Sequence, residues 1–69
     1  MKLVKFARNE VTSYILDGWR VWKDVQGEKG GETTLKNHKN ERLIVSWQFE
    51  PHPRVEVVRN RKVVKFQLF

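Results

Sequence analysis

The sequence predicts an all-β domain, a small antiparallel barrel or curled sheet of five to six strands with one long polar loop. Residues 42–50, RLIVSWQFE, place apolar side chains at every second position, as a half-buried strand does. Turn signals such as Asp17-Gly18 separate short apolar runs. The chain also opens with LVKFARNEV, residues 3–11, and closes with VVRNRKVVKFQLF, residues 57–69. We expect these similar segments to be terminal strands of a closed or nearly closed sheet, because closure hides both sheet edges.

The most regular strand pattern lies in residues 42–50 and predicts the centre of the core. The alternating residues expected to face inward are Leu43, Val45, Trp47 and Phe49. Pro51 and Pro53 follow and remove two backbone donors, so an extended corner around His52 ends this strand.

A hairpin is predicted after this corner. Val55 and Val57 alternate with charged residues before Arg59-Asn60, and Asn tolerates the left-handed conformation that tight hairpin turns need. The apolar residues predicted for the returning strand are Val64, Phe66 and Leu68.

The first third of the chain fits three further strands. They would cover residues 2–7, 10–16 and 19–25, with turns at Arg8-Asn9 and Asp17-Gly18. Asp-Gly between apolar runs is a strong hairpin signal. Within the third strand, Trp19, Val21 and Val25 are expected to face the core, with Lys23 near its edge, so that Arg20, Trp22 and Asp24 face outward.

An α+β fold is the alternative, with a short helix at about residues 9–17 packed on a four-stranded antiparallel sheet. Asn9 is a suitable N-cap, and Gly18 is a suitable terminator. The residues at helical spacing are Val11, Tyr14, Ile15, Trp19 and Trp22. β-Branched and aromatic residues lose side-chain freedom in helices, which favours the strand interpretation.

Residues 26–40, QGEKGGETTLKNHKN, predict a long mobile loop. The segment contains three of the four glycines and a single aliphatic residue, Leu35. A short strand at residues 32–35 is the one ordered element expected within it.

Length and composition predict a single small basic domain spanning residues 1–69. The chain has no cysteine, which excludes disulfides and thiol catalysis and fits a reducing compartment. No apolar run is long enough for a membrane span or a signal peptide, so a cytoplasmic or intracellular location is expected. A core this small is marginal, which makes a homodimer an additional expectation.

Basic residues are concentrated in the second half of the chain. Residues 1–35 contain six basic and five acidic side chains, whereas residues 36–69 contain eight basic and three acidic, which sums to the formal net charge of +6. Such an excess attracts phosphate-rich partners or an acidic protein surface.

Catalytic and metal-binding patterns are absent from the sequence. The acids are scattered beside Lys or Arg rather than paired as general acid–base catalysis requires. His38 and His52 lack further donors for a zinc site, and the glycines match neither nucleotide-binding loop. We therefore expect a protein that is not an enzyme and has no metal or cofactor.

Two candidate surfaces point to nucleic acid. An outward Trp22 beside Arg20 would form a platform for an unstacked base, unless the indole is part of the core. Basic residues that surround the end of the loop and the last turn would contact phosphates. They are Lys36, Lys39, Arg42, Arg54, Arg59, Arg61, Lys62 and Lys65.

The sequence thus predicts a non-enzymatic protein that binds DNA or RNA through the cationic surface of its C-terminal half, with little sequence preference. The alternative is a protein-interaction module, an inhibitor or adaptor such as phage-type accessory proteins, that docks on an acidic partner surface. The chain is similar in length and β-rich pattern to cold-shock domains, but it lacks their paired aromatic RNA-binding motifs, and no family is assigned.

Overall fold

The computed structural model describes residues 2–69 as one helix followed by five strands. The elements are α1 (Lys2–Leu16), β1 (Arg20–Gly27), β2 (Gly30–Lys36), β3 (Arg42–Gln48), β4 (Arg54–Arg59) and β5 (Lys62–Leu68). All strands belong to one antiparallel sheet of order β1-β2-β3-β4-β5, in which each strand pairs with the next. The β-rich prediction is correct. The sheet is open, so the prediction of a closed barrel is wrong.

α1 replaces the two strands predicted for residues 2–7 and 10–16. Leu3 and Ala7 are buried, and Val11 and Tyr14 pack against the same core, so the apolar residues follow a helical period. β-Branched residues cost a helix at most about 0.7 kcal/mol each, whereas burial of one large apolar side chain contributes roughly 1.5–3 kcal/mol. Packing therefore outweighs propensity. The helical alternative is correct in kind, but α1 begins at Lys2 rather than at Asn9.

Gly18 terminates the helix, which ends at Leu16, and the alternative predicted this terminator. Gly18 has φ 102°, and its amide donates to the carbonyl of Ile15 at 3.1 Å while the Trp19 amide donates to Tyr14 at 3.0 Å. These two bonds form a Schellman motif, in which the left-handed position favours glycine. The rings of Tyr14 and Trp19 meet edge to face at 6.3 Å, which fixes the angle at which the chain enters β1. Within residues 2–69, no helix has both the length and the apolar character needed to cross a membrane.

α1 covers one face of the sheet and leaves the other open. The fully buried side chains between helix and sheet are Leu35, Leu43, Val45, Val55 and Val57. The predictions for Leu43 and Val45 are confirmed, while Trp47 and Phe49 are partly buried against this core. Residues that alternate with the buried ones, such as Ile44 and Val58, lie on the opposite surface, which we call the helix-free face.

β1 contains a bulge that reverses the faces predicted for its second half. Val21 pairs with Leu35, but Lys23 rather than Trp22 pairs with Thr34. Trp22 is therefore the extra residue of the bulge. One inserted residue moves every later side chain to the other face, because strand side chains alternate with a period of two.

Three predictions for β1 fail for this reason. Asp24 was expected to face outward, but its carboxylate lies on the helix side, where the Thr33 hydroxyl donates to it at 2.8 Å. Val25 was expected in the core and is 50% exposed. Lys23 lies on the helix-free face with Thr34, instead of sharing the inner face.

β2 occupies Gly30–Lys36, so the prediction of one long loop over residues 26–40 is wrong for that stretch. Thr33, Thr34 and Leu35 are buried, and β2 lies between β1 and β3. The strand looks polar in sequence because Leu35 is its one aliphatic side chain.

The predicted C-terminal hairpin is present, and its turn lies one residue later than predicted. Arg59 pairs with Lys62, which leaves Asn60 and Arg61 as the two turn residues. Their φ values are 50° and 67°, as a type I′ turn requires. This turn matches the twist of the strands but places a long arginine in the left-handed region.

Candidate nucleic-acid interface

The antiparallel meander brings separate basic segments to one end of the sheet. β1, β3 and β5 begin at this end, and β2 and β4 end there. The turn formed by residues 37–41 and the turn formed by residues 60–61 therefore lie there too. We call this the cationic end. Its basic residues are Arg20, Lys36, Lys39, Arg42, Arg59, Arg61 and Lys62.

Most of the net charge of the chain lies at the cationic end. Seven of the 14 basic side chains are there, against the acids Asp17 and Glu41, which gives +5. The rest of the chain contains the other seven basic side chains and six of the eight acids, which gives a net charge of +1. Uneven charge of this kind raises the local potential far more than the same charges spread over the surface.

Three of these cations form a row across the helix-free face. Arg20 pairs with Lys36 on the neighbouring strand, and Lys36 pairs with Arg42 on the next. Paired residues on adjacent strands lie about 4.5–5.5 Å apart and project from the same face. Like charges this close repel one another, and an anion placed over the row relieves that repulsion.

Trp22 lies against this row. The Lys36 ammonium is 3.7 Å from the centroid of the indole, and the Arg42 guanidinium carbon is 5.2 Å from it. The bulge places the ring on the helix-free face, where the residue is 56% exposed. The outward position predicted for Trp22 is correct, although Lys36 and Arg42 rather than Arg20 contact the ring.

Glu41 connects the two turns of the cationic end. Its carboxylate accepts hydrogen bonds from the side-chain amides of Asn37 and Asn60, each at 2.8 Å, and lies 3.5 Å from the Arg59 guanidinium. The two amide hydrogen bonds, and then the charge of Arg59, hold the pKa of Glu41 below its ordinary value. Sequence reasoning missed this role, because Glu41 is isolated among polar loop residues.

Arg59 lies on the helix side of the cationic end. Its guanidinium group contacts Glu41, and its guanidinium carbon is also 5.3 Å from the centroid of the buried Trp19 ring. Arg20, Lys39, Arg61 and Lys62 are exposed, and neither ion pair found within residues 2–69 involves them. These four side chains are available for a ligand.

Two of the predicted phosphate contacts lie elsewhere. Arg54 begins β4 at the opposite end of the sheet, where its Nε donates to the Gln48 side chain at 3.1 Å. Lys65 lies in mid-strand on the helix side, with its ammonium 2.8 Å from the Glu10 carboxylate. The hydrogen bond to Glu10 raises the pKa of Lys65 above its ordinary value, against a smaller opposing effect of burial. Lys65 therefore joins helix to sheet.

A second row, which we call the apolar row, lies beside the cations. Thr34 pairs with Ile44, and Ile44 pairs with Val58 on the helix-free face. On β1 this row is flanked by Lys23, which pairs with Thr34. A shallow concavity lined by Ile44, Val58, Arg42 and Arg61 joins the two rows. Nothing in the sequence indicated this juxtaposition, since its members come from three strands.

Residues 2–69 contain no cluster of three or more His, Cys, Asp or Glu side chains arranged to hold a metal ion. No family model, no curated protein and no solved structure matches the chain.

Proposed function

We propose that this protein binds nucleic acid through its cationic end, with little sequence preference and without catalysing a reaction. The observation that supports this most strongly is that five strands and two turns bring seven basic residues together, against two acids. Neutralisation of phosphates releases condensed counterions, and this supplies most of the free energy of non-specific binding.

The composition of the cationic end also favours nucleic acid over a simple anion. Arg20, Lys36 and Arg42 form an extended row rather than a closed pocket, which suits a repeating polyanion. Arginine can donate two parallel hydrogen bonds to one phosphate, and lysine acts as a mobile point charge. Backbone contacts of this kind position a nucleic acid without reading its sequence.

A matched pair of charge-reversal variants tests this proposal. Arg61→Glu with Lys62→Glu alters the cationic end, and Lys29→Glu with Arg54→Glu makes the same change in net charge at the opposite end. We expect the first variant to lose most of its affinity for oligonucleotides and the second to lose little. Each phosphate contact contributes about 0.7–0.9 to the slope of log K against log salt. Loss of two contacts in the first variant should therefore reduce the magnitude of this slope by about 1.4–1.8.

Equal losses in the two variants would show that overall charge, not the cationic end, drives binding. Absence of binding by the unaltered protein at low salt would refute the proposal outright.

A protein-interaction module is the second candidate, because β5 is an exposed edge strand rich in apolar residues. Val63, Phe66 and Leu68 are 58%, 46% and 60% exposed. Apolar edges of this kind pair with other chains, including a second copy of the same chain. Phe66→Glu should abolish a complex that survives nuclease treatment while leaving oligonucleotide binding intact, and sedimentation of the pure protein tests self-association.

A further inference from the structure

We infer that the ligand of the cationic end is a single strand rather than a duplex, with one unpaired base stacked on Trp22. This inference rests on the proposed function and specifies its substrate class. It depends on how the exposed indole, the row of cations and the apolar row are arranged on one face.

Trp22 is placed as a stacking residue. It is 56% exposed, whereas Trp19 is 5% exposed and belongs to the core, so Trp22 has contact area available for a ligand. The Lys36 ammonium lies over the ring at 3.7 Å from its centroid, and the Arg42 guanidinium carbon lies over it at 5.2 Å. A base that stacks on Trp22 therefore takes the place of the Lys36 ammonium or uses the ring surface that the cations leave exposed, and both cations stay close to its phosphate. Aromatic rings with flanking cations are the common device of single-strand binders.

The neighbouring apolar row extends this site across the sheet. Two shallow concavities share Asn40: one is lined by Trp22 and Lys36, and the other by Ile44 and Val58. Residues in successive rows of one face are two positions apart along a strand, or about 7 Å. A nucleic-acid strand that crosses from β1 to β4 thus meets the row of cations on one side and, past Lys23 on β1, the apolar row on the other.

This arrangement favours a single strand because only unpaired bases expose their faces. In a duplex the bases are stacked internally, and the helix presents phosphates and groove edges, so Trp22 and Ile44 would gain nothing from it. A helix-covered sheet whose open face stacks two or three bases is a known solution for single-stranded RNA.

Titration of the protein with oligo(dT) and oligo(U) of about 12 nucleotides, and with a duplex of the same length, tests the inference. Quenching of indole fluorescence on binding should be lost in Trp22→Phe, because Trp19 is buried and Trp47 is partly buried near the opposite end of the sheet. Trp22→Ala should weaken single-strand binding about 5- to 150-fold, the range expected for loss of one stacked base, and leave duplex binding nearly unchanged. Trp22→Phe should retain most of the affinity.

Phe66→Ala is the control, since Phe66 is a similarly exposed aromatic at the far edge of the same face. It should change neither affinity, and circular dichroism verifies that each variant is folded. Equal affinity for single strand and duplex, with no effect of Trp22→Ala, would overturn this inference while leaving the proposed function in place. Absence of binding to any oligonucleotide at low salt would overturn both.

Discussion

The side-chain amide of Asn60 donates a 2.8 Å hydrogen bond to the carboxylate of Glu41, 19 residues earlier in the chain. This contact joins the β2–β3 turn to the β4–β5 turn. The Asn60 backbone amide also donates to the Arg42 carbonyl at 3.1 Å, so the hairpin tip is attached both to the β2–β3 turn and to the first residue of β3. The cations carried by the two turns are thereby held in one arrangement.

Asn60 should contribute to stability in two separable ways. With φ 50°, it occupies a left-handed position that costs an alanine about 1–2 kcal/mol and glycine almost nothing. Asn60→Ala should therefore lower the free energy of unfolding by clearly more than Asn60→Gly, which loses the Glu41 hydrogen bond alone. Urea denaturation measures both, and equal losses would mean that the left-handed backbone costs nothing here.

Arg61 should show a conflict between stability and binding. Its φ of 67° is strained for a long side chain, whereas the side chain lies exposed at the cationic end. Arg61→Gly should raise the free energy of unfolding by up to about 1 kcal/mol and lower oligonucleotide affinity. Arg61→Lys is the control, because it retains both strain and charge. A rise in affinity on glycine substitution would contradict the prediction.

Glu41 should make the cationic end sensitive to acid. Its pKa is lowered in the folded protein, so its stabilising contribution is present above the ordinary value of 4.5 and is lost as pH falls through the lower folded value. As the pH is lowered from 6 to about 3, the melting temperature should fall less steeply for Glu41→Gln than for the unaltered protein. Parallel curves of melting temperature against pH would show that other carboxylates account for the loss of stability in acid.

Lys65 should affect stability and not binding. The folded protein raises its pKa, so the pair with Glu10 stabilises the fold below the ordinary value of 10.5 and is lost as pH rises through the higher folded value. The Lys65 side chain is 48% exposed, which limits the pair to about 0.2–1 kcal/mol. A double-mutant cycle of Lys65→Met and Glu10→Gln measures this coupling, and a large loss of oligonucleotide affinity in Lys65→Met would place Lys65 in the interface after all.

Gly31 should tolerate no side chain. An added Cβ would lie 2.7 Å from the Val25 carbonyl oxygen and 2.5 Å from the Trp47 ring. Gly31→Ala should therefore lower the free energy of unfolding by about 1–3 kcal/mol through overpacking. Gly27→Ala is the control, because there the nearest atom is 3.6 Å away, an ordinary contact. An unchanged melting temperature for Gly31→Ala would mean that β1 and Trp47 shift without cost.

The local sequence pattern by itself determined those elements whose structure depends on residues close together in the chain. The alternation of Leu43 and Val45 predicts β3, and the apolar runs around Asn60 predict the last hairpin. Gly18 ends the helix of the α+β alternative because a left-handed C-terminal residue is a local requirement. The excess of basic residues in the second half is likewise a property of composition alone.

Tertiary structure decided the rest, because it depends on residues far apart in the chain. Residues 2–16 are helical since the sheet offers them an apolar face, and their own propensities favoured strands. The bulge at Trp22 and the contact of Glu41 with Asn60 arise only when neighbouring strands fix their register. The meander likewise sorts the cations, bringing Arg20 beside Lys36 while it places Arg54 at the far end and Lys65 next to Glu10 of the helix. Sequence records how many charges the chain has, but strand direction and pairing determine which of them meet.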